Sequence, residues 1–148
     1  MKKGRMIFFA ALLLFVAFSV VWFFTAENRY TERSLFFLEP VSREVVMEHR
    51  LIAEKHDTEK NIELLVKDVL LGSSLLVRDG IFPADTNLNH LLLRNGTVYA
   101  DLSMDAVFAE PGMGLAFSES LDILRRTILF NFPGIGSVTI TVNGLQPE

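Results

Sequence analysis

The sequence predicts an α+β domain, two helices packed on one face of a mostly antiparallel sheet, preceded by one transmembrane helix. Three observations carry that prediction. Residues 6–24 are apolar except for Ser19. Two later segments place apolar residues at helical spacing. Several short segments alternate apolar with polar residues, or are β-branched, and are bounded by Pro or Asn-Gly turns.

The apolar run of 19 residues would rise about 28 Å as a helix, close to the roughly 30 Å hydrocarbon thickness of a bilayer. A cleaved secretory signal has a shorter apolar stretch and small residues at its cleavage site, whereas Phe24-Thr25-Ala26 offers Phe. The run therefore reads as an uncleaved anchor over residues 6–24. No cysteine follows it, so the polypeptide itself must hold the membrane. Lys2, Lys3 and Arg5 precede the run, while Arg29 and Arg33 alternate with Glu27 and Glu32, which keeps residues 1–5 cytoplasmic. Trp22, Phe23 and Phe24 suit the far headgroup layer. The expected location is the plasma (inner) membrane, crossed once, with the C-terminal part extracytoplasmic, or periplasmic in a cell with two membranes.

Residues 25–33 are polar and lack apolar periodicity, so they read as a tether. The domain occupies residues 34–148. Beyond residue 26 the chain carries 11 basic and 18 acidic side chains, a formal charge of −7, which disfavours nucleic acid as a partner. A chain of about 120 residues can bury a sufficient core without disulfides. The lack of cysteine also excludes thiol nucleophiles, Cys-ligated zinc and Fe–S clusters.

Within the domain, residues 35–39 are a compact apolar run closed by Pro40. Residues 44–53 alternate Val45, Met47 and Leu51 with Glu44, Glu48 and Arg50, as a strand does. These two segments suggest a hairpin-like pair. Asp57 can cap a helix with the face Ile62, Leu65, Val66, Val69 and Leu70, and Gly72 stands where a left-handed residue ends it. An irregular stretch follows around Asp79-Gly80 and Pro83. Asn95-Gly96 between residues 88–93 and 97–102 is the strongest short hairpin signal. Ser118 or Ser120 can cap a second helix with the stripe Leu121, Leu124, Ile128, Leu129 and Phe132, stopped by Pro133-Gly134. Residues 137–142, closed by Asn143-Gly144, form a β-branched strand.

Chemistry is sparse. His49, His56 and His90 show no ligand spacing. Ser118 and Ser120 lack a nucleophile elbow, and capping accounts for them. Asp101, Ser103 and Asp105 start like a calcium loop, but Ala106 and Gly112 stand where Gly and Glu belong. Gly112-Met113-Gly114 carries no phosphate-binding fingerprint. Asn95-Gly96-Thr97 matches a glycosylation acceptor, but a tight hairpin turn demands the same residues and accounts for them. Glu59 and Glu63, beside Lys60 and Lys67, read as a solvated helix face. No catalytic residue, cofactor or metal ligand is expected, and the chain is expected not to be an enzyme.

The segment TILFNFPGIGSVTITVNG (residues 127–144) resembles the closing part of the GerMN domain of sporulation and spore-germination proteins, and NGTVYADLS (residues 95–103) resembles its central hairpin. LFFL at residues 35–38, the strand ending in Ile52, the helix with Leu64-Leu65 closing at Leu71-Gly72, and Ile81-Phe82-Pro83 follow the family's order. The likeness covers residues 34–145. It implies a membrane-attached, extracytoplasmic, non-catalytic module similar to ring-building domains of secretion-type assemblies, some of which accompany signalling or envelope complexes. A protein span replaces the frequent lipid anchor, Gly72-Ser73-Ser74 stands where Gly-Pro is common, and there is one domain where some members have two.

The function expected is a scaffold or interaction module that assembles with envelope proteins or with itself. The alternatives are an accessory protein binding cell-wall glycan or a small solute, and an unrecognised hydrolase. Met113, Leu115 and Phe117, in a Gly-rich stretch before the second helix, are the candidate partner contacts. The competing reading of those three is a lid folded over the sheet edge, with Phe117 stapling the helix.

Overall fold

The computed structural model describes residues 2–25, 29–39, 41–75, 80–108 and 115–147, with side chains in the first stretch described at residues 7–9 and 11–22. Pro40, Asp79, Gly112, Met113 and Gly114 lie outside the described residues. Helix α1, Lys2–Thr25, is 24 residues long, about 36 Å. All its described side chains are exposed, Leu14 at 72% and Trp22 at 67%. Among the described residues no helix is long and apolar enough to cross a membrane. The expected transmembrane helix over residues 6–24 finds no support there.

The domain contains β1 (Tyr30–Leu38), β2 (Val45–Ala53), α2 (Thr58–Leu70), β3 (Leu88–Arg94), β4 (Thr97–Leu102), a 3-10 turn at Met104–Val107, α3 (Phe117–Asn131) and β5 (Ser137–Val142). It is α+β, but the single sheet expected from sequence is two. β1 and β2 form an antiparallel hairpin, and β3-β4-β5 form a second sheet in which β4 and β5 run parallel. Helix α3 makes the crossover between those parallel strands, a connection too long for a hairpin. β1 begins at Tyr30, inside the segment expected to be tether. Its first residues are polar because they lie beyond the core, where Thr31, Glu32 and Arg33 are exposed or half-buried.

Both helices pack between the two sheets. α2 touches β1, β2 and β3, α3 touches β1 and β5, and the helices touch each other. The face expected for α2 is the buried one: Ile62, Leu65, Val66, Val69 and Leu70. Asp57 caps it by accepting from Glu59 N–H at 3.0 Å. Gly72, at φ +82°, turns the chain after Leu71, a conformation that costs a side-chain-bearing residue. The Asn95-Gly96 turn has both residues at positive φ, as a two-residue hairpin loop requires.

Helix α3 departs from expectation at two points. Its N-cap is Ala116, not Ser118 or Ser120. Ala has no capping side chain, and Glu119 Oε2 reaches back to accept from the Ala116 N–H at 2.8 Å. Ser120 is buried within the first turn. Leu129, expected on the core stripe, is 38% exposed, while Ile123 and Thr127 are buried. Thr127 is tolerated there because its hydroxyl donates to Ile123 O at 2.8 Å.

Candidate functional site

The hairpin β1–β2 is the most unusual part of the surface. Alternation along β2 shows its period, but the polar side faces in. Glu48 is buried and Arg50 half-buried, whereas Val45, Met47, His49 and Leu51 are exposed. Inside, Arg50 Nε donates to Glu48 Oε1 at 2.7 Å. Its other nitrogens donate to Asp68 Oδ2 at 3.2 Å and to the Gly72 carbonyl at 2.7 Å, closing the C-terminus of α2. The hydroxyls of Ser73 and Ser74 each donate to Glu48 at 2.6 Å. Burial alone raises the Glu48 carboxyl. The hydrogen bonds from Ser73, Ser74 and Arg50 outweigh it and hold the group at about 2, against an ordinary 4.5.

The two edges of the hairpin differ. At β1, the Asn131 carboxamide accepts from Ser34 N–H at 2.9 Å and donates to Ser34 C=O at 2.7 Å. Arg126 lies over the Phe36 ring at 4.6 Å and Phe130 meets that ring edge-on at 5.4 Å, so α3 covers this edge. At β2, Glu44 and Glu54 bond inward to β1: Glu39 N–H donates to Glu44 O at 2.9 Å and Glu54 N–H to Arg29 O at 2.8 Å. Strand alternation then turns the main-chain groups of Val45, Met47, His49, Leu51 and Ala53 outward. Among the described residues none of these groups has a hydrogen-bond partner.

The sequence-predicted contacts are divided. Met113 is outside the described residues. Leu115 and Phe117 are half-buried and pack against the core. His49 Nδ1 lies 3.2 Å from Ser34 Oγ and 3.5 Å from Glu32 Oε1, and His56 and His90 are exposed. Among the described residues no group of His, Asp and Glu could hold a metal ion. Asp101 is not free to be a ligand. It accepts from Thr141 Oγ1 at 2.6 Å, Gly144 N–H at 2.8 Å and Asn89 Nδ2 at 3.0 Å. Burial raises its carboxyl, but these bonds and the His90 charge together lower it. Glu59, expected on a solvated face, accepts from Leu93 N–H at 2.7 Å and stops the outer edge of β3.

Among the described residues, two surface clefts can be described. One of about 440 Å³ lies between Thr58, Leu93, Gly96 and the turn after α3. Of its polar side chains, Asn131 is already committed to Ser34. The other, about 340 Å³, is lined by Leu70, Leu71, Asn87, Leu88 and Thr86, whose buried hydroxyl has no partner among the described residues. Among the described residues lining these two clefts there is no nucleophile beside a base. The open β2 edge was missed from sequence because periodicity does not report which strand ends a sheet. The retrievable signal was the order of residues in β2 itself.

A family model for sporulation and spore germination, Germane, matches residues 23–148. The fold is similar to the first GerMN domain of the sporulation protein GerM from Bacillus subtilis, at 19% identity and TM-score 0.59, covering 79% of this chain and 86% of that one. The tandem GerMN domains of that protein match at 19% identity and TM-score 0.58, covering 80% of this chain and 41% of theirs. A candidate lipoprotein from Clostridium perfringens matches at 19% identity and TM-score 0.52, covering 78% and 76%. No curated relative matches. With the family model spanning the whole described domain, the chain belongs to the Germane family of sporulation and spore germination domains.

Proposed function

We propose that this chain is a membrane-anchored, extracytoplasmic, non-catalytic interaction module of a cell-envelope assembly. The observation that carries the reading is α1: an apolar helix whose described side chains are all exposed needs an apolar surrounding. The basic residues Lys2, Lys3 and Arg5 favour a cytoplasmic N-terminus. Germane is not a known enzyme family, and relatives described as a sporulation protein and a candidate lipoprotein support attachment at an envelope. Met113, Leu115 and Phe117 remain the proposed contact for partners other than a second copy.

Protease added to spheroplasts tests the topology. The expected result is digestion of residues 27–148 with the N-terminal segment retained in the membrane pellet. Protection until lysis, or a soluble secreted domain, overturns it.

A second reading, an accessory protein for cell-wall glycan or a small solute, is favoured by one observation, the unpartnered Thr86 hydroxyl at the wall of the smaller cleft. Muropeptide fragments titrated against the protein and against Thr86→Val would support it only if binding is present and weakened by the substitution.

A further inference from the structure

Strand β2 reads Val45, Val46, Met47, Glu48, His49, Arg50, Leu51, Ile52, Ala53. Reversed about His49, the same strand meets itself in complementary order. Met47 then faces Leu51, Val45 faces Ala53, Val46 faces Ile52, and Glu48 faces Arg50. We infer that the open edge of β2 pairs antiparallel with β2 of a second copy, about a two-fold axis through His49. This rests on the reading of the chain as an interaction module and names one of its partners.

Three features of the structure support the inference. First, the register is permitted by the direction of the main chain. The residues whose N–H and C=O groups point outward are the odd-numbered ones from 45 to 53, and a dyad at 49 brings odd residues opposite odd ones. Each such pair exchanges two bonds, giving about ten across the whole strand. Second, the side chains that would meet on the outer face are available: Val45 is 40%, Met47 39% and Leu51 72% exposed. A long apolar edge left open in a soluble domain is a hazard that proteins ordinarily blunt with Pro, Lys or a covering element. Among the described residues the β1 edge of this hairpin is met by Asn131 of α3 at Ser34, and the outward main-chain groups of β2 meet no such partner. Third, the charges agree with the dyad. Glu48 and Arg50 sit one residue either side of it, so the dyad sets no acid opposite an acid and no base opposite a base, while both side chains keep their bonds to Ser73, Ser74, Asp68 and Gly72 of their own copy.

A shifted register loses this agreement. Moving the axis by half a residue, to between 48 and 49 or between 49 and 50, would oppose outward main-chain groups to inward ones, and moving it by one, to 48 or 50, keeps the bonds possible but sets Glu48 against Glu48 or Arg50 against Arg50. Moving it by two, to 47, keeps the bonds possible but sets Val45 against His49 and Val46 against Glu48. Specificity therefore lies in the order of side chains and affinity in the main chain. An isologous pair of this type closes on itself.

The chain contains no cysteine, so single cysteines report the register without background. His49→Cys, Met47→Cys and Leu51→Cys are placed in the full-length chain in membranes, with copper-phenanthroline as oxidant. Opposed residues in such a pair have Cα atoms about 5.5 Å apart, within disulfide range. The expected result is a dimer from His49→Cys alone, and from Met47→Cys and Leu51→Cys only when the two are mixed. In sedimentation of the detergent-solubilised chain, Met47→Lys and Leu51→Glu each weaken self-association roughly tenfold, and the double variant recovers it. All these side chains are exposed, and circular dichroism checks that each variant folds. Equal cross-linking at all three positions, or failure of the double variant to recover, overturns the register. No self-cross-linking, with other envelope proteins still captured by the chain, overturns self-pairing and leaves the interaction module standing. If nothing is captured at all, both readings fall.

Discussion

Glu48 and Arg50, two residues apart on β2, hold each other at 2.7 Å on the covered face of the hairpin. Through them a strand is tied to the end of a helix, since Arg50 also reaches Asp68 and Gly72. The carboxylate is the centre of that arrangement because it alone accepts from Arg50, Ser73 and Ser74.

Acid should therefore loosen the domain through Glu48. Its folded carboxyl lies at about 2, against 4.5 ordinarily. A lowered folded value means stability that is fully present above the unfolded value and is lost as pH falls from about 5 through about 2. The shift corresponds to roughly 3 kcal/mol. Glu48→Gln should cost about 2–3 kcal/mol at neutral pH and flatten the acid limb below pH 5. Urea midpoints measured from pH 7 to 2 test this, and equal slopes for the two proteins would count against it.

Asn131 satisfies the edge of β1 at Ser34, which is buried. Asn131→Ala should leave both main-chain groups without a partner, costing about 2–4 kcal/mol. The readout is hydrogen exchange at the Ser34 amide, expected to become fast relative to that of Leu65 in α2. An unchanged Ser34 rate would mean that the carboxamide is dispensable.

Core truncations should separate the two sides of α3. Leu124→Ala and Ile128→Ala, both at 0% exposure, should each cost about 2–5 kcal/mol, as should Leu65→Ala in α2. Leu129→Ala, at 38% exposure, should cost less than about 1 kcal/mol. Chemical denaturation decides, and comparable losses at 128 and 129 would argue against this helix orientation.

The loop before α3 should divide at Leu115. Leu115 packs on the core, so Leu115→Ser should cost about 1–2 kcal/mol and lower the thermal midpoint by several degrees. Met113→Ser should leave the midpoint unchanged and weaken partner capture. Melting and cross-linking of the two single variants assign each residue to stability or to contact.

Helix α2 was legible to its ends, because Asp57, five periodic apolar residues and Gly72 all act locally. The two Asn-Gly turns were legible for the same reason: Asn95 and Asn143, each followed by Gly, take the positive φ that such turns demand. Local signals fail where the decision is made at a distance. The residues of β2 alternate whichever face is covered, and only α2, arriving afterwards, makes Glu48 and Arg50 the inner pair. Whether five strands form one sheet or two is likewise set by pairings far apart in sequence, such as Val98 with Val138. The start of α3 was misread because Glu119 performs the capping from inside the helix, leaving Ala116 with no visible mark. For partner contacts, the sequence pointed to Met113, Leu115 and Phe117, while the β2 edge is a property of main chain that composition does not carry.

Because Asn131 answers the β1 edge with a side chain, the hairpin has a valence of one. A two-stranded ribbon open on both sides could accept a neighbour at each, and successive copies would lengthen it into a fibre. With one side terminated from within the same molecule, addition stops after a single step. Helix α3, through Asn131, Arg126 and Phe130, thus separates a pairing device from a polymer.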